Sequence, residues 1–412
     1  MIDKDVQRAA SEVQTSARES HGEYWWQTSG YLLAALLRDA GYTASSQQHI
    51  LNFFGRAIVP YLGPAHNVHS PQWCSFMTDD HHPIELSWDL HTGQSPPTVR
   101  FSIEPVGVHA GTPLDATNAN ADVSFRQSLL QALPATNSNM HWFHHLDREL
   151  APDLASPGLM EGHPSRIFYA FDLAASSITS KAYFFPGFKA RESTQTNLHV
   201  ITHVIASAPQ HTPAQLSALD TFADFAKDPR TPPLEIDMLA VDLDATARLK
   251  IYFRTRATSF ASVRQMMTLG HRIAHPTMDM DRGLQNLRRL WDALLTQEGI
   301  PDDQPLPDVN HRTAGLLYNV ELRPGAQPVI KIYIPVRHYA SCDEDIISAV
   351  HTYMGAEHGY AKTMRGLMKS SYPEALRQRG IHTYIACSVQ SGGELRVVSY
   401  INCQGYKMCS SR

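Results

Sequence analysis

A basic residue followed two positions later by a tyrosine occurs three times, in segments that resemble strands. The pairs are Lys181 with Tyr183, Lys250 with Tyr252, and Lys331 with Tyr333. Residues two apart on an extended strand share a face, so each segment presents a cation and a phenol together. If these faces converge in the fold, they form a pocket of cations and phenols. Such a pocket is suited to binding a diphosphate, because Arg and Lys pair with phosphate oxygens.

The copies recur about every 70–80 residues, which indicates a repeated structural unit. A row of alternating Lys and Tyr is also typical of the solvated face of an open antiparallel sheet. Recurrence of the same pair favours a shared surface, because a merely solvated face has no reason to repeat it. The opposite faces carry apolar residues that need cover, such as Leu249, Ile251 and Ile332.

The hydrophobic pattern predicts strand pairs separated by helices, an ααββ order that repeats about five times. The expected strands are Cys74–Thr78, Ile84–Leu90, Thr98–Pro105, Ser165–Leu173, Thr179–Pro186, Pro233–Leu243, Ala247–Thr255, Leu316–Leu322, Pro328–Val336, Ile381–Gln390 and Glu394–Asn402. The expected helices are Glu23–Ala40, Ser45–Leu62, Ala121–Leu133, His141–Leu150, Thr212–Ala226, Ser259–Gly270, Arg282–Glu298, Asp343–His358, Ala361–Lys369 and Tyr372–Arg379. An α+β fold follows, with an antiparallel sheet covered by helices on one side. Closed as a barrel of about ten strands, the sheet would enclose a lumen with room for ligands.

Composition narrows the class of protein. The 412 residues carry a formal net charge of -5, which argues against a nucleic-acid partner. No apolar run is long enough for a transmembrane helix, and the N-terminus lacks the apolar stretch of a signal peptide. The five cysteines are odd in number and form no CxxC, as expected of free thiols in a reducing cytosol. We therefore expect a cytoplasmic protein without a membrane partner. Its length allows two or three domains, but also a single barrel domain over residues 1–412.

The 22 histidines raise the question of a metal site. The densest groups are His81 with His82, and His141 with His144 and His145, but none forms HExxH. The Asp pairs lack the DDxxD spacing of a carboxylate site for magnesium. The sequence therefore predicts hydrogen-bonded or solvent-facing histidines and no metal.

Six segments in order along the chain resemble the fungal aromatic prenyltransferases of the dimethylallyltryptophan synthase type. They are His82–Asp89, Val99–Gly107, Phe171–Gly187, Arg248–Phe253, Lys331–Val336 and His382–Val389. The resemblance implies a ten-strand antiparallel barrel ringed by helices. It also implies a metal-independent enzyme without a cofactor, a monomer or homodimer. Such an enzyme moves a dimethylallyl group from dimethylallyl diphosphate to an aromatic small molecule, usually an indole.

The resemblance also implies roles for individual residues. The cations at motif positions would bind the diphosphate: Arg100, Lys181, Arg248, Lys250 and Lys331. Tyrosines would shield the allyl cation and contact the phosphates: Tyr183, Tyr252, Tyr333, Tyr384 and Tyr400. Many members carry another tyrosine where this chain has Phe185. Fixed cations would stabilise the charge that grows on the leaving diphosphate.

Glu85 is the candidate catalytic residue on the acceptor side. In the PxExS pattern the family uses this glutamate to accept the indole N–H, which makes the ring more electron-rich. The alternative is an ordinary carboxylate at the barrel rim. A buried Glu85 in the same cavity as Arg100 and Lys250 would favour catalysis over a non-catalytic barrel that binds anions or small molecules.

Two departures from the family pattern bear on the acceptor. No lysine lies between Arg166 and Lys181, and Pro233–Leu243 contains no arginine. Relatives that prenylate free tryptophan at C4 use a lysine at the first position as a base and an arginine at the second to bind the amino-acid carboxylate. The resemblance therefore favours a neutral acceptor such as a tryptophan-containing cyclic dipeptide or another indole alkaloid. Free tryptophan and phenolic or xanthone acceptors stay open as alternatives.

Overall fold

The computed structural model describes residues 20–66, 71–90, 97–132, 140–151, 163–245, 247–273, 279–323, 327–355, 359–371 and 375–403. Within these ranges, no helix is long and apolar enough to cross a membrane. The chain alternates between pairs of strands and groups of helices, five times over.

Ten strands form one closed barrel, in which every strand is antiparallel to both neighbours. They are β1 Ile84–Asp89, β2 Thr98–Ile103, β3 Ile167–Leu173, β4 Ile178–Phe184, β5 Leu234–Asp242, β6 Leu249–Thr255, β7 Leu316–Leu322, β8 Val329–Ile334, β9 His382–Val389 and β10 Leu395–Asn402. Sequence neighbours pair, and β1 pairs with β10 to close the ring. The predicted α+β barrel is therefore confirmed.

The strand alternation sorts side chains between the lumen and the surrounding helices. On β8, Lys331 and Tyr333 line the central cavity, whereas Ile330 and Ile332 are buried in the outer core. A one-residue shift in register would exchange these two sets, so the apolar alternation fixes which face is inside. The cations thus point inward because the isoleucines must point outward.

Helices cover the outer surface of the barrel and bury those apolar residues. They are α1 Ser20–Trp25, α2 Tyr31–Asp39, α3 Ala44–Phe53, α4 Ala119–Ala132, α5 Met140–Leu150, α6 Gly187–Ser193, α7 Asn197–Ser207, α8 Pro213–Lys227, α9 Phe260–Met267, α10 Met280–Leu295, α11 Val336–Tyr339, α12 Asp343–Met354 and α13 Tyr360–Ser371. A π-helical turn, Trp26–Gly30, joins α1 to α2. The helices and the outer strand faces share one continuous apolar core.

The observed elements differ from the predicted ones in three respects. Cys74–Thr78, expected as a strand, is a loop whose polar groups bond to Glu104 and Ser165 instead of a neighbouring strand. Three helices were not predicted: α6, α7 and α11. Two of them are short, seven and four residues, which leaves little helical periodicity to detect. Residues 372–374 of the predicted helix Tyr372–Arg379 lie outside the described ranges, and Ala375–Arg377 is a 3-10 turn.

Candidate active site

The barrel encloses a cavity of about 470 Å³. All eleven residues singled out from the sequence line it: Glu85, Arg100, Lys181, Tyr183, Arg248, Lys250, Tyr252, Lys331, Tyr333, Tyr384 and Tyr400. Ten of them lie on seven of the ten strands, and Arg248 directly precedes β6, so closure of the sheet, not sequence proximity, brings them together. The repeated Lys-x-Tyr pairs therefore lie side by side on the inner wall of the barrel.

One end of the cavity carries cations that are held by buried carboxylates. The Lys181 ammonium lies 2.7 and 2.8 Å from the two carboxylate oxygens of Asp172, and Arg100 Nε lies 2.9 Å from the same group. Burial alone would raise the pKa of Asp172, but Lys181 and Arg100 hold it well below the usual range. Asp172 is therefore ionised and fixes both cations in place.

Asp242 holds two further cations, Lys250 and Arg248, in place. Its Oδ1 accepts a hydrogen bond from Lys250 Nζ, and its Oδ2 forms an ion pair with Arg248 Nη2, each at 2.6 Å. Burial lowers the pKa of Lys250, although Asp242 opposes the change. The pKa of Asp242 itself is lowered, because Lys250, Lys181 and Arg248 together outweigh its burial. This second carboxylate thus orients Lys250 and Arg248 toward the lumen.

Lys331 differs from the other four cations. Among the residues that the structure describes, no carboxylate forms an ion pair with it. Its ammonium instead lies 5.0 Å from the ring centroid of Tyr333 and 5.8 Å from that of Tyr400. Burial lowers the pKa of Lys331 to about 7, and Arg100 adds to the effect. Lys331 therefore has free donors that a diphosphate could use.

The sequence analysis missed part of this charge network. In the described part of the chain, seven cations meet four carboxylates at this end: Arg100, Lys181, Arg248, Lys250, Arg323, Lys331 and Arg396, with Asp89, Asp172, Asp242 and Glu321. The surplus is positive, as an ionised diphosphate requires. Some of the missed residues could have been predicted from the alternation of side chains along a strand. Asp89 shares a face with Glu85, and Asp172 lies two residues beyond Ala170, which faces the lumen.

Five tyrosine rings form a layer across the lumen next to these cations. Ring centroids of successive members lie 5.6 to 6.5 Å apart, from Tyr183 through Tyr252, Tyr333 and Tyr400 to Tyr384. The hydroxyls of Tyr252 and Tyr333 are 3.4 Å apart, and the Asn319 amide donates to Tyr333 at 2.9 Å. Burial raises the pKa of Tyr333 well above its usual value, so its phenol stays neutral. The layer offers π faces to a cation and hydroxyl donors to an anion.

Phe185 lies outside this tyrosine layer. It packs against Phe168 and His163, with ring centroids 4.9 and 4.8 Å away. His163 in turn stacks on Phe76 at 3.9 Å. Phe76 and Phe168 line the cavity, whereas Phe185 supports them from behind. Phe185 is therefore part of an aromatic wall at the other end of the cavity.

Glu85 lies at that other end, beyond the tyrosines. The Thr383 hydroxyl donates to Glu85 Oε1 at 2.6 Å. Burial raises the pKa of Glu85 to about 7, while the Thr383 bond and the charge of Arg337 oppose the rise. A carboxylate with this pKa can take and return a proton near neutral pH. Glu85 is buried and faces the cavity, so it is not an ordinary carboxylate at the rim.

Two further cations line the Glu85 end of the cavity. They are Arg254, at the end of β6, and Arg337, on α11. The argument for a neutral acceptor assumed that this end holds no partner for a carboxylate. Strand β5 does lack an arginine, as the sequence analysis stated, but Arg254 and Arg337 bring positive charge to the same end of the cavity.

One group of side chains in the described residues has the composition of a metal site. Asp79, His311 and His338 bring ligand atoms within 4.8 Å of one another. However, Arg337 already pairs with Asp79 at 2.8 Å. Burial and then Arg337 lower the pKa of His338 to about 3. Arg337 already pairs with the one carboxylate of the group and places a positive charge beside His338, so these residues are a poor site for a divalent cation.

A closed antiparallel barrel with a diphosphate-sized cation cluster, a tyrosine layer and a buried carboxylate defines an aromatic prenyltransferase. The sequence profile of the family Tryptophan dimethylallyltransferase matches residues 21–370, and the chain belongs to this family. It is therefore an enzyme that uses dimethylallyl diphosphate, not a non-catalytic barrel.

Two curated relatives illustrate the range of the family. The 4-O-dimethylallyl-L-tyrosine synthase of Claviceps purpurea (strain 20.1) is 34% identical, over 98% of this chain and 92% of the relative. A 7-dimethylallyltryptophan synthase of Aspergillus fumigatus is 30% identical, over 93% of this chain and 85% of the relative. The match thus spans nearly the whole chain in both.

Solved structures share the fold. AnaPT from Neosartorya fischeri superposes with a TM-score of 0.81 at 24% identity, covering 96% of this chain and 98% of that one. NotF in complex with brevianamide F and DMSPP gives a TM-score of 0.79 at 22% identity, covering 94% and 96%. The helix-ringed barrel is therefore common to these enzymes and this chain.

Proposed function

We propose that this enzyme transfers the dimethylallyl group of dimethylallyl diphosphate to a tryptophan-derived indole. The acceptor would be tryptophan, free or within a cyclic dipeptide. The observation that carries the proposal is the layered cavity: cations at one end, Glu85 at the other, and the tyrosine layer between them. This order places a donor's leaving group and an acceptor's ring on opposite sides of the allyl carbon.

The cation end would bind the diphosphate. When the donor C–O bond breaks, the electron pair leaves with the diphosphate, and the negative charge grows there. Lys331 and the paired cations would stabilise this charge more in the transition state than in the ground state. The surplus of positive charge makes a divalent metal unnecessary for this step, so we propose metal-independent catalysis.

The tyrosine layer would protect the allyl cation that remains. Aromatic faces within about 6 Å of a cation stabilise it by roughly 0.5–2 kcal/mol each. The rings of Tyr183, Tyr252 and Tyr333 would also exclude water, which otherwise competes with the acceptor for the cation. An aromatic carbon then attacks the cation and forms the new C–C bond.

Glu85 would accept the indole N–H during the attack. As the ring gives electrons to the allyl carbon, its N–H becomes acidic, and the Glu85 carboxylate is a base with a pKa suited to receive the proton. Thr383 would hold the carboxylate in position through its hydroxyl. The attacked carbon then releases its proton to water or to the diphosphate product, and Glu85 returns its proton to the nitrogen, so the neutral indole becomes aromatic again.

A second candidate acceptor is the phenol of tyrosine. The relative with 34% identity is a 4-O-dimethylallyl-L-tyrosine synthase, and the match covers 98% of this chain. In that case Glu85 would take the phenol O–H proton and the oxygen would form the bond. Phe76 and Phe168 could pack against either ring type.

The test is incubation of the purified chain with dimethylallyl diphosphate and, separately, L-tryptophan, a tryptophan-containing cyclic dipeptide, L-tyrosine and a xanthone. Mass spectrometry would detect the gain of one dimethylallyl group. Transfer to an indole supports the main proposal, and transfer to tyrosine alone supports the second. Absence of transfer to every aromatic acceptor, with intact donor, would refute both.

We also propose that the chain acts in the cytosol as one barrel domain, as a monomer or homodimer. Four described cysteines are free thiols, as a reducing compartment allows: Cys74, Cys342, Cys387 and Cys403. Size-exclusion chromatography with light scattering would establish the number of subunits.

A further inference from the structure

The Glu85 end of the cavity contains several charged residues that have no role in the proposed transfer of the prenyl group. Arg254, Arg337 and Asp237 line this end together. Arg254 is only 3% exposed and Asp237 only 6%. Charged side chains this deeply buried need partners, since an uncompensated buried charge is costly.

The two arginines converge on one loop residue, Thr313. Arg254 Nη1 donates to the backbone oxygen of Thr313 at 2.8 Å, and Arg337 Nη2 donates to its hydroxyl at 2.9 Å. Both also lie beside Tyr384: the Arg337 guanidinium carbon is 5.4 Å from the ring centroid, and the phenol interacts electrostatically with Arg254. The loop and the tyrosine therefore orient two guanidinium groups toward one region.

Both arginines keep a buried donor unused. In the described part of the chain, Nε of Arg254 and Nε of Arg337 have no hydrogen-bond acceptor. Asp237 lies 3.5 Å from Arg254 Nε, which is an ion-pair distance without hydrogen-bond geometry. Leaving a buried donor unpaired is unfavourable, so an acceptor supplied by a ligand fits this place.

Charges of both signs are present at this end. Asp237 accepts from Arg312 Nη2 at 2.9 Å, and Asp79 pairs with Arg337 at 2.8 Å. Burial is the main cause of the depressed pKa of His338, and the positive charges of Arg337 and Arg254 lower it further. A ligand carrying a carboxylate with a neighbouring ammonium group would match these charges.

We infer that Arg254 and Arg337 bind the α-carboxylate of a free aromatic amino acid, and that Asp237 faces its ammonium group. The enzyme would then select the free amino acid over its amide, its ester or a cyclic dipeptide. This inference rests on the proposed function and specifies the acceptor class of the same site. The aromatic ring of that amino acid would extend toward Glu85, on which Arg337 acts electrostatically.

The first experiment uses the wild-type enzyme and needs no variant. kcat/KM is measured for L-tryptophan, L-tyrosine, their carboxamides and a tryptophan-containing cyclic dipeptide, at saturating dimethylallyl diphosphate. We expect at least one free amino acid to exceed its own carboxamide about 30-fold or more, because a buried charge pair is worth that much. A carboxamide or cyclic dipeptide used as well as the free amino acid would overturn the inference.

The second experiment uses Arg254→Gln and Arg337→Gln, with Arg365→Gln as the control in the helix layer. Arg365 pairs with Glu344 away from the barrel lumen. In each active-site variant, the ratio of kcat/KM for the free amino acid to that for its carboxamide should collapse toward one, mainly through KM. The control should keep the wild-type ratio.

The two proposals fail separately. Equal losses for acid and amide in both arginine variants would assign them a structural role and overturn the inference alone. Product formed only from neutral indoles would also remove the inference and leave the prenyltransferase proposal intact. No product from any acceptor would remove the proposed function itself.

Discussion

At the scale of single residues, the cavity separates two groups whose pKa values meet near neutrality. Burial raises the pKa of Glu85 and lowers that of Lys331, each to about 7. For the proposed reaction Glu85 must be ionised and Lys331 protonated. The two groups therefore set opposite limbs of a pH profile, one on each side of the tyrosine layer.

Replacement of Glu85 tests the acid limb. Glu85→Gln keeps the size and an acceptor oxygen for Thr383 but cannot take a proton, so indole prenylation should fall about 10²–10⁴-fold. Wild-type kcat should rise with pH through about 7, because the ionised carboxylate becomes populated there. Thr383→Val removes a hydrogen bond that favours the ionised form, and it should move this limb to higher pH. Full activity of Glu85→Gln with every indole would make Glu85 structural.

Lys331 sets the alkaline limb. Above about pH 7 it loses its proton in the free enzyme, so kcat/KM for the donor should decrease as pH rises. Lys331→Arg keeps the positive charge throughout this range and should abolish the decrease. Lys331→Gln should instead lower kcat/KM already at pH 6. An alkaline limb that persists unchanged in Lys331→Arg would assign it to another group.

At the scale of structural elements, the loop at 71–78 forms part of the acceptor wall and depends on one buried carboxylate. Glu104 accepts from Trp73 Nε1 at 3.1 Å, from Ser75 at 2.5 Å and from Ser165 at 2.8 Å. The Ser165 hydroxyl also accepts from the backbone N–H of Phe76. Glu104 therefore positions the loop whose Phe76 lines the cavity.

Glu104→Gln should loosen this loop without unfolding the barrel. The amide places an N–H₂ among hydroxyl and indole donors, and unsatisfied buried groups of this kind cost about 1–3 kcal/mol. We expect a higher KM for the acceptor, an unchanged donor affinity, and more hydrolysis of the donor per transfer, because water reaches the cation. The ratio of dimethylallyl alcohol to prenylated product measures this.

A matched control is Glu344→Gln, which removes a carboxylate from a helix on the outside of the barrel. It should leave the hydrolysis-to-transfer ratio at the wild-type value. A wild-type ratio and acceptor KM in Glu104→Gln would show that the loop does not depend on Glu104.

This loop also shows where sequence-based prediction stops. Periodicity located β8 correctly, because Ile332 must be covered and Lys331 then faces inward. Cys74–Thr78 also mixes apolar and polar residues, but its hydrogen-bond partners, Glu104 and Ser165, are distant in sequence. The position of Arg337 in the cavity could not be predicted from periodicity either, because it depends on a four-residue helix. The family resemblance, not the strand pattern, supplied the roles of Glu85 and of the tyrosines.

At the scale of the whole molecule, closure of the sheet concentrates charge. Outside a barrel, the cations of β2, β4, β6 and β8 would be solvated and far apart. Inside it, buried carboxylates hold most of them in fixed positions before a ligand arrives, as Asp172 does for Lys181 and Arg100. Preorganised charge of this kind needs no rearrangement in the transition state. Loss of one cation should therefore cost far more than a surface charge would.

Lys181→Ala and Arg248→Ala test this idea. Each removes one donor to the developing diphosphate charge, and kcat/KM for the donor should fall about 10²–10³-fold. Each also leaves a carboxylate, Asp172 or Asp242, with fewer partners, so thermal unfolding should be measured alongside. A folded variant with wild-type turnover and donor affinity would remove that residue from the diphosphate site.

The same charge balance predicts catalysis without a divalent metal. Metal-dependent prenyl enzymes use magnesium to neutralise the diphosphate, but here the surplus of fixed cations performs that task, and a dication beside them would be repelled. We expect the rate in excess EDTA to stay within about twofold of the rate in magnesium, since one lost charge contact would already cost about tenfold or more. Magnesium should also fail to restore Lys181→Ala, because it cannot bind where Arg100 and Lys250 remain. Activity that EDTA abolishes and magnesium restores would show instead that the carboxylates Asp89, Asp172 and Asp242 hold a metal together with the diphosphate.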